Sequence, residues 1–137
     1  MNITMMQFQK HGDDRGALVV LEENKNIPFE VKRVYYMYDT KPGEVRGLHA
    51  HKKLKQVLCC PCGACTIKLD DGEEKAYVRL DDPTEGLIVE ANIWREMYDF
   101  TPNAVLMVLA SDYYDENDYI RNYDEFLRHV NSTRRIQ

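Results

Sequence analysis

Two histidines set two residues apart, His49 and His51, are the part of this chain best suited to chemistry. On a strand, residues i and i+2 point to one face, so both imidazoles would meet in one place. Imidazole has the side-chain pKa nearest neutrality and can take up and return a proton there. The competing reading is a pair of exposed histidines on an edge strand, and HxH alone does not choose between the two. Four cysteines, Cys59, Cys60, Cys62 and Cys65, follow closely with two overlapping CxxC spacings. A structural zinc site draws a second ligand pair from farther along, and none follows. A redox CxxC opens a helix after a strand, whereas strand-like sequence flanks this run on both sides. The cysteines read as small buried hydrophobes in a hairpin, reduced in the cytoplasm. His11 and His129 read as surface residues.

The elements around the histidines are mostly short strands: 17–22, 31–38, 45–51, 56–60, 65–69, 76–80, 87–91 and 104–110. Val- and Tyr-rich runs suit strands, and Asp71-Gly72 between two of them is a hairpin signal. Many short strands at near-regular spacing favour a sandwich or barrel. The end of the chain changes period. Tyr119, Tyr123, Phe126, Leu127 and Val130 fall at helical spacing, which predicts a C-terminal helix that includes 122–129, with fraying after Asn131.

Residues 1–137 read as one domain. The composition is 44% hydrophobic and 30% charged with a net charge of −5. No basic stripe points to nucleic acid, and no apolar run approaches the roughly 18 residues of a membrane helix. The first residues do not read as a secretory signal, so a cytoplasmic location is expected. A few well-placed arginines can still hold a phosphate on an acidic protein.

The stretch Gly43, His49, His51, Gln56, Gly63 resembles the first motif of the cupin superfamily, except that Gln56 stands where metal-binding cupins carry Glu. Met97 falls about where their second motif supplies another histidine. The resemblance implies an all-β fold, a cupin (jelly-roll) β-barrel with a short C-terminal helix. Two neutral imidazoles alone make a weak metal site, so no metal and no cofactor are expected.

Longer segments are similar to the dTDP-4-oxo-6-deoxyglucose 3,4-ketoisomerases, the sugar oxoisomerases of this superfamily. They are Asp14-Arg15-Gly16, Glu22 to Phe29, Lys32 to Tyr36, Arg46 to Leu54, Trp94 to Met97, and Leu109 to Arg121. Arg95 and the stretch Glu90-Ala91-Asn92 are less typical. The resemblance implies a ketone moved from carbon 4 to carbon 3 of dTDP-4-keto-6-deoxyglucose through an enediol, for deoxy amino-sugar and surface-polysaccharide biosynthesis. For that reaction His49 is assigned as base at carbon 3, His51 as shuttle of a proton to carbon 4 or to the oxygens, and Tyr36 as a hydroxyl donor to the enediolate, while which histidine is the base stays open. For Tyr36 a place in the barrel core is the equal alternative. Arg15 and Arg46 are implied as diphosphate ligands, Arg95 as a further substrate contact, and a homodimer as the assembly. Lys52 and Lys53 read as a solvated run, and Trp94 and Tyr98 as core. A 3,5-epimerase of the same nucleotide sugar, a metal-dependent cupin oxygenase and a non-catalytic sugar-binding cupin are the rival readings. The configuration produced at carbon 4 stays open.

Overall fold

The structure is a computed structural model and describes residues 1–136. Alternating apolar side chains lay down two five-stranded antiparallel sheets, packed face to face in the jelly-roll manner of the cupins. One sheet runs β1 (Thr4–Gln7), β9 (Glu85–Val89), β6 (Gln56–Cys62), β11 (Val105–Ala110), β4 (Arg33–Met37). The other runs β12 (Tyr119–Ile120), β5 (Arg46–His51), β10 (Trp94–Tyr98), β7 (Cys65–Asp70), β8 (Lys75–Leu80). A separate hairpin pairs β2 (Lys10–Asp13) with β3 (Gly16–Val19).

Three layers of apolar packing hold this arrangement. Between the sheets lie Leu58, Cys60, Cys65, Ile67, Leu69, Leu87, Met97, Leu106 and Val108, among others. Outside the first sheet, Ile27 and Phe29 from the segment before β4 pack on Phe8, Val57, Cys59 and Leu109. Outside the second, helix α1 (Tyr123–Ile136) sets Phe126 and Val130 against Ala50, Trp94 and Ile120. Trp94 is therefore core, stacked edge-on to Tyr123 with ring centroids 5.4 Å apart.

The eight sequence-predicted strands are all present, with ends shifted by up to three residues. Four short strands, β1, β2, β10 and β12, are additional. The helix does not fray after Asn131: its backbone continues to Ile136. Val130 is buried beneath it, and the Arg134 guanidinium donates to the Asp71 carbonyl at 2.6 Å. His129 is half-buried rather than a surface residue, its Nε2 2.8 Å from Asn92 Oδ1. Cys59, Cys60 and Cys65 are buried as expected, but Cys62 is exposed at the end of β6. Among the described residues no helix is long and apolar enough to cross a membrane.

Phe126 is fully buried and ties α1 to the outer face of β5. Removing its ring should cost about 3–5 kcal/mol. Thermal unfolding of Phe126→Ala is expected to show a large drop in Tm, and an unchanged Tm would mean the helix is not part of the cooperative core.

Candidate active site

β5 carries the two histidines, and a bulge sets their direction. Pairing with β10 shifts register at this point, with Arg95 opposite His49 and Glu96 opposite Gly47. Leu48 is the extra residue, and both Gly47 and Leu48 adopt positive φ, +85° and +57°. A Cβ on Gly47 would lie 2.6 Å from Met97 Sδ and 3.0 Å from the Arg95 carbonyl, so glycine alone fits there. Beyond the bulge the alternation resumes. His49 and His51 point inward, while Ala50 packs on the helix side. The rings sit edge-on with centroids 4.9 Å apart. Tyr119 of β12 packs against both, at 5.0 Å and 4.4 Å.

The hydrogen bonds select one tautomer for each ring. His49 Nδ1 lies 3.0 Å from the Gly47 carbonyl, which only accepts, so Nδ1 carries the proton. His51 Nδ1 lies 3.0 Å from Asp118 Oδ2 and donates likewise. Both Nε2 atoms are buried and have no protein partner. Each neutral ring thus holds an unused lone pair inside the fold, as a general base requires.

Arg95 of β10 lies fully buried beside them. Its guanidinium donates to Gln56 Oε1 and, at 3.0 Å, to the Ile93 carbonyl, while Nε has no partner. Gln56 Nε2 in turn donates to the Tyr35 hydroxyl at 3.0 Å. None of these partners is charged. Burial first, then the nearby Arg95 charge, lower the pKa of His49 from 6.5 to about 4. The same two causes lower that of His51. Burial raises the Tyr35 hydroxyl and keeps it neutral. Two imidazoles with a guanidinium beside them do not suit a cation. Among the described residues no group of three or more His, Cys, Asp or Glu side chains gathers as metal ligands would.

Two clefts open onto this cluster. One, of about 330 Å³, is lined by Tyr35, Met37, Arg46, Gly47, His49 and Arg121, among others. The other, of about 200 Å³, holds His51 with Lys53, Ser111, Asp112, Tyr113 and Asp118. Arg33 and Tyr119 line both.

Of the residues singled out from the sequence, His49, His51, Arg46 and Arg95 are brought together at or beside these clefts. Tyr36 is not, and it is not core either. It is 63% exposed on the outer side of β4, its ring near Tyr38. Alternation along β4 turns Arg33, Tyr35 and Met37 inward and Tyr36 outward, so Tyr35 supplies the hydroxyl in the cleft. Arg15 also stands apart within one chain. It sits on the β2–β3 hairpin, its side chain 87% exposed and held at 2.6 Å by Asp13. Sequence reasoning missed Tyr35, Arg33, Gln56 as the partner of Arg95, and Asp118 with Tyr119. For the last two the specific run 109–121 was the available signal.

The family model described as WxcM-like, C-terminal (FdtA) matches residues 1–131. The chain belongs to this family. A relative, the TDP-4-oxo-6-deoxy-α-D-glucose-3,4-oxoisomerase of Aneurinibacillus thermoaerophilus, is 55% identical over 130 residues, 95% of this chain and 94% of that one. The crystal structure of a 3,4-ketoisomerase from Helicobacter canadensis matches with TM-score 0.92 and 53% identity, over 96% of this chain and 98% of that one. A variant of the ketoisomerase QdtA from Thermoanaerobacterium thermosaccharolyticum, in complex with TDP-4-keto-6-deoxyglucose, matches with TM-score 0.93 and 44% identity. That match covers 96% of this chain and 95% of QdtA.

The lowered pKa of His49 has a measurable consequence. Its ring should stay neutral as pH falls below 6.5 and titrate only near 4, followed by NMR of the side-chain nitrogens. The unfolded chain binds that proton at about 6.5. Stability from this group is therefore full above pH 6.5 and declines as pH drops toward 4. Titration of His49 near 6.5 would contradict the buried, cation-flanked environment.

Proposed function

We propose that this chain is a cytoplasmic 3,4-ketoisomerase of dTDP-4-keto-6-deoxyglucose, acting by proton transfer from its two histidines. The observation that carries the mechanism is the pair of buried Nε2 lone pairs beside an uncompensated guanidinium. The close relatives named above supply the reaction and the substrate.

The carbon-3 proton of a 4-keto sugar is acidified by the neighbouring carbonyl. In the proposed reaction His49 Nε2 removes it. The C3–H electron pair forms the C3–C4 double bond, and the carbonyl pair moves onto O4. The Arg95 charge and the neutral Tyr35 hydroxyl oppose the cost of that oxyanion. The C3 hydroxyl proton passes to O4, which moves the negative charge to O3. The O3 pair then forms the ketone at carbon 3 as the C3–C4 double-bond pair takes a proton at carbon 4 from His51 Nε2, which has gained it from solvent, and His49 releases its own proton to solvent. Protons and electron pairs balance without a redox partner. Arg46, at the mouth of the His49 cleft, is proposed as a ligand of the diphosphate, because a guanidinium fork matches phosphate oxygens in pairs.

The same proposal includes a homodimer. Val34, Tyr36 and Tyr38 leave an exposed apolar row on the outer side of β4, and Leu18 does so on the hairpin. Arg15 stands outside the clefts of its own chain. Its part in holding the diphosphate is therefore proposed for the dimer, with the hairpin of one subunit reaching its partner. Light scattering of the purified protein should give twice the 16.1 kDa chain mass. A monomer would remove Arg15 from the site.

The reaction is tested by incubating the protein with dTDP-4-keto-6-deoxyglucose in deuterium oxide and following proton NMR. The expected result is a ketone at carbon 3 and deuterium at carbon 4. Exchange at carbons 3 and 5 with inversion would instead mark an epimerase, and absence of exchange a binding protein. His49→Asn should lose turnover by about 10²–10⁴-fold. Tyr35→Phe should lower turnover by about tenfold or more as one oxyanion donor is removed, while Tyr36→Phe leaves it unchanged. The reverse order for the two tyrosines would sink the assignment of Tyr35.

A further inference from the structure

Asp118 lies outside β5, the strand of both histidines, yet among the described residues its carboxylate is the side chain hydrogen-bonded to His51. It closes a short 3-10 turn, Glu116–Asp118, just before β12. Oδ2 receives His51 Nδ1 at 3.0 Å and the Leu54 amide at 3.4 Å. Oδ1 receives the Lys53 amide at 2.9 Å, and the Asp118 carbonyl receives the Lys52 amide at 3.0 Å. The carboxylate is largely shielded, and among the described residues no lysine or arginine pairs with it; its side-chain partner is the neutral His51 ring.

We propose that Asp118 is a positioning residue that fixes the tautomer of His51 and so directs its basic nitrogen at the substrate. This rests on the ketoisomerase reading, which it deepens. The backbone amides can only donate, so they occupy carboxylate lone pairs without regard to the imidazole. What remains for His51 Nδ1 is an acceptor, which obliges Nδ1 to carry the proton. Nε2 is then left as a lone pair, and that atom is buried with no other partner. The carboxylate also steadies the ring when Nε2 takes a proton, offsetting the Arg95 and Arg33 charges nearby. His49 relies on the Gly47 carbonyl instead, so the two rings are held by different groups and can be separated experimentally.

The separating variant is Asp118→Asn. An amide is nearly the same size, but its NH₂ cannot accept. With its oxygen kept on the shorter Lys53 bond, the NH₂ faces His51 Nδ1 and turns the ring to the opposite tautomer. Nitrogen NMR of His51 should show a protonated Nδ1 in the parent protein and a protonated Nε2 in the variant. With dTDP-4-keto-6-deoxyglucose in deuterium oxide, exchange at carbon 3 should persist while arrival of the ketone there falls by about 10²–10⁴-fold. KM should stay within roughly threefold of the parent value, as for a group that acts on the chemical step. Loss of both steps together, or an unchanged tautomer with normal turnover, would overturn the proposal. Should the variant not fold, the parent spectrum decides: an unprotonated Nδ1 on His51 refutes it. The tautomer is read without substrate. Failure of the ketoisomerase reading would appear as a parent protein inactive on this sugar, and is thus distinguishable from failure of the role of Asp118.

Discussion

The buried guanidinium of Arg95 is the constraint around which the rest of the site is arranged. Removing an ion from water costs several kcal/mol even after relaxation. The usual compensation is a carboxylate, and here the partners are Gln56, the Ile93 carbonyl and nothing at Nε. A carboxylate at position 56 would cancel the charge and would also complete a metal-binding set with the two histidines. Glutamine does neither. It fixes the guanidinium with a neutral oxygen and passes its own NH₂ to Tyr35, leaving the positive field intact. That field disfavours protonation of both imidazoles and favours negative charge on anything bound among them. Stability is given up at this point for electrostatics, as expected of a site and not of a core.

A second constraint is backbone. The bulge at Gly47-Leu48 lets β5 stay paired to β10 while His49 turns inward beside Arg95. It also brings the Gly47 carbonyl within reach of the His49 ring two residues later. The close approach of Met97 and the Arg95 carbonyl admits no side chain on Gly47. One short motif, Arg46-Gly47-Leu48-His49-Ala50-His51, therefore encodes the bend, the ring orientation and the packing of Ala50 under the helix.

Much of this was legible in the sequence because it depends on local period. The spacing of His49 and His51 put them on one face, the strand runs pointed to a sandwich or barrel, and the 3.6-residue period to the helix. What escaped was set by register or by distant pairing. Tyr35 and Tyr36 are both good strand residues, and only the side of β4 that faces inward separates them. β10 reads Trp94-Arg95-Glu96-Met97-Tyr98, and its charges hid a strand whose arginine is fully buried. Asp118 reaches His51 across 67 residues, by the pairing of β12 with β5. The helix outlasted its expected end because Val130 and Arg134 have partners on the sheet and on the β7–β8 turn, which helical spacing alone does not show.

The arrangement has a consequence for base strength. An imidazole held near pKa 4 is a weak base for a carbon acid. Arg33 and Arg46 line the His49 cleft and Arg95 lies buried beside the histidines, none with an ion pair among the described residues, whereas Arg121 in the same cleft is paired with Glu116. A protein of net charge −5 thus keeps the His49 cleft positive, whereas the His51 cleft sets Asp112, Asp115 and Asp118 against Arg33 and Lys53. An anionic nucleotide sugar entering the His49 cleft supplies the missing countercharge. Its phosphates cancel part of the field that lowers the imidazole pKa, which moves the rings toward neutrality, where proton transfer in both directions is efficient. On this account the strength of the base is set by the complex, not by the free protein. The Asp118 carboxylate, hydrogen-bonded to His51 alone of the two rings, favours charge on it in the same direction, which suits the proton-shuttle role proposed for that ring.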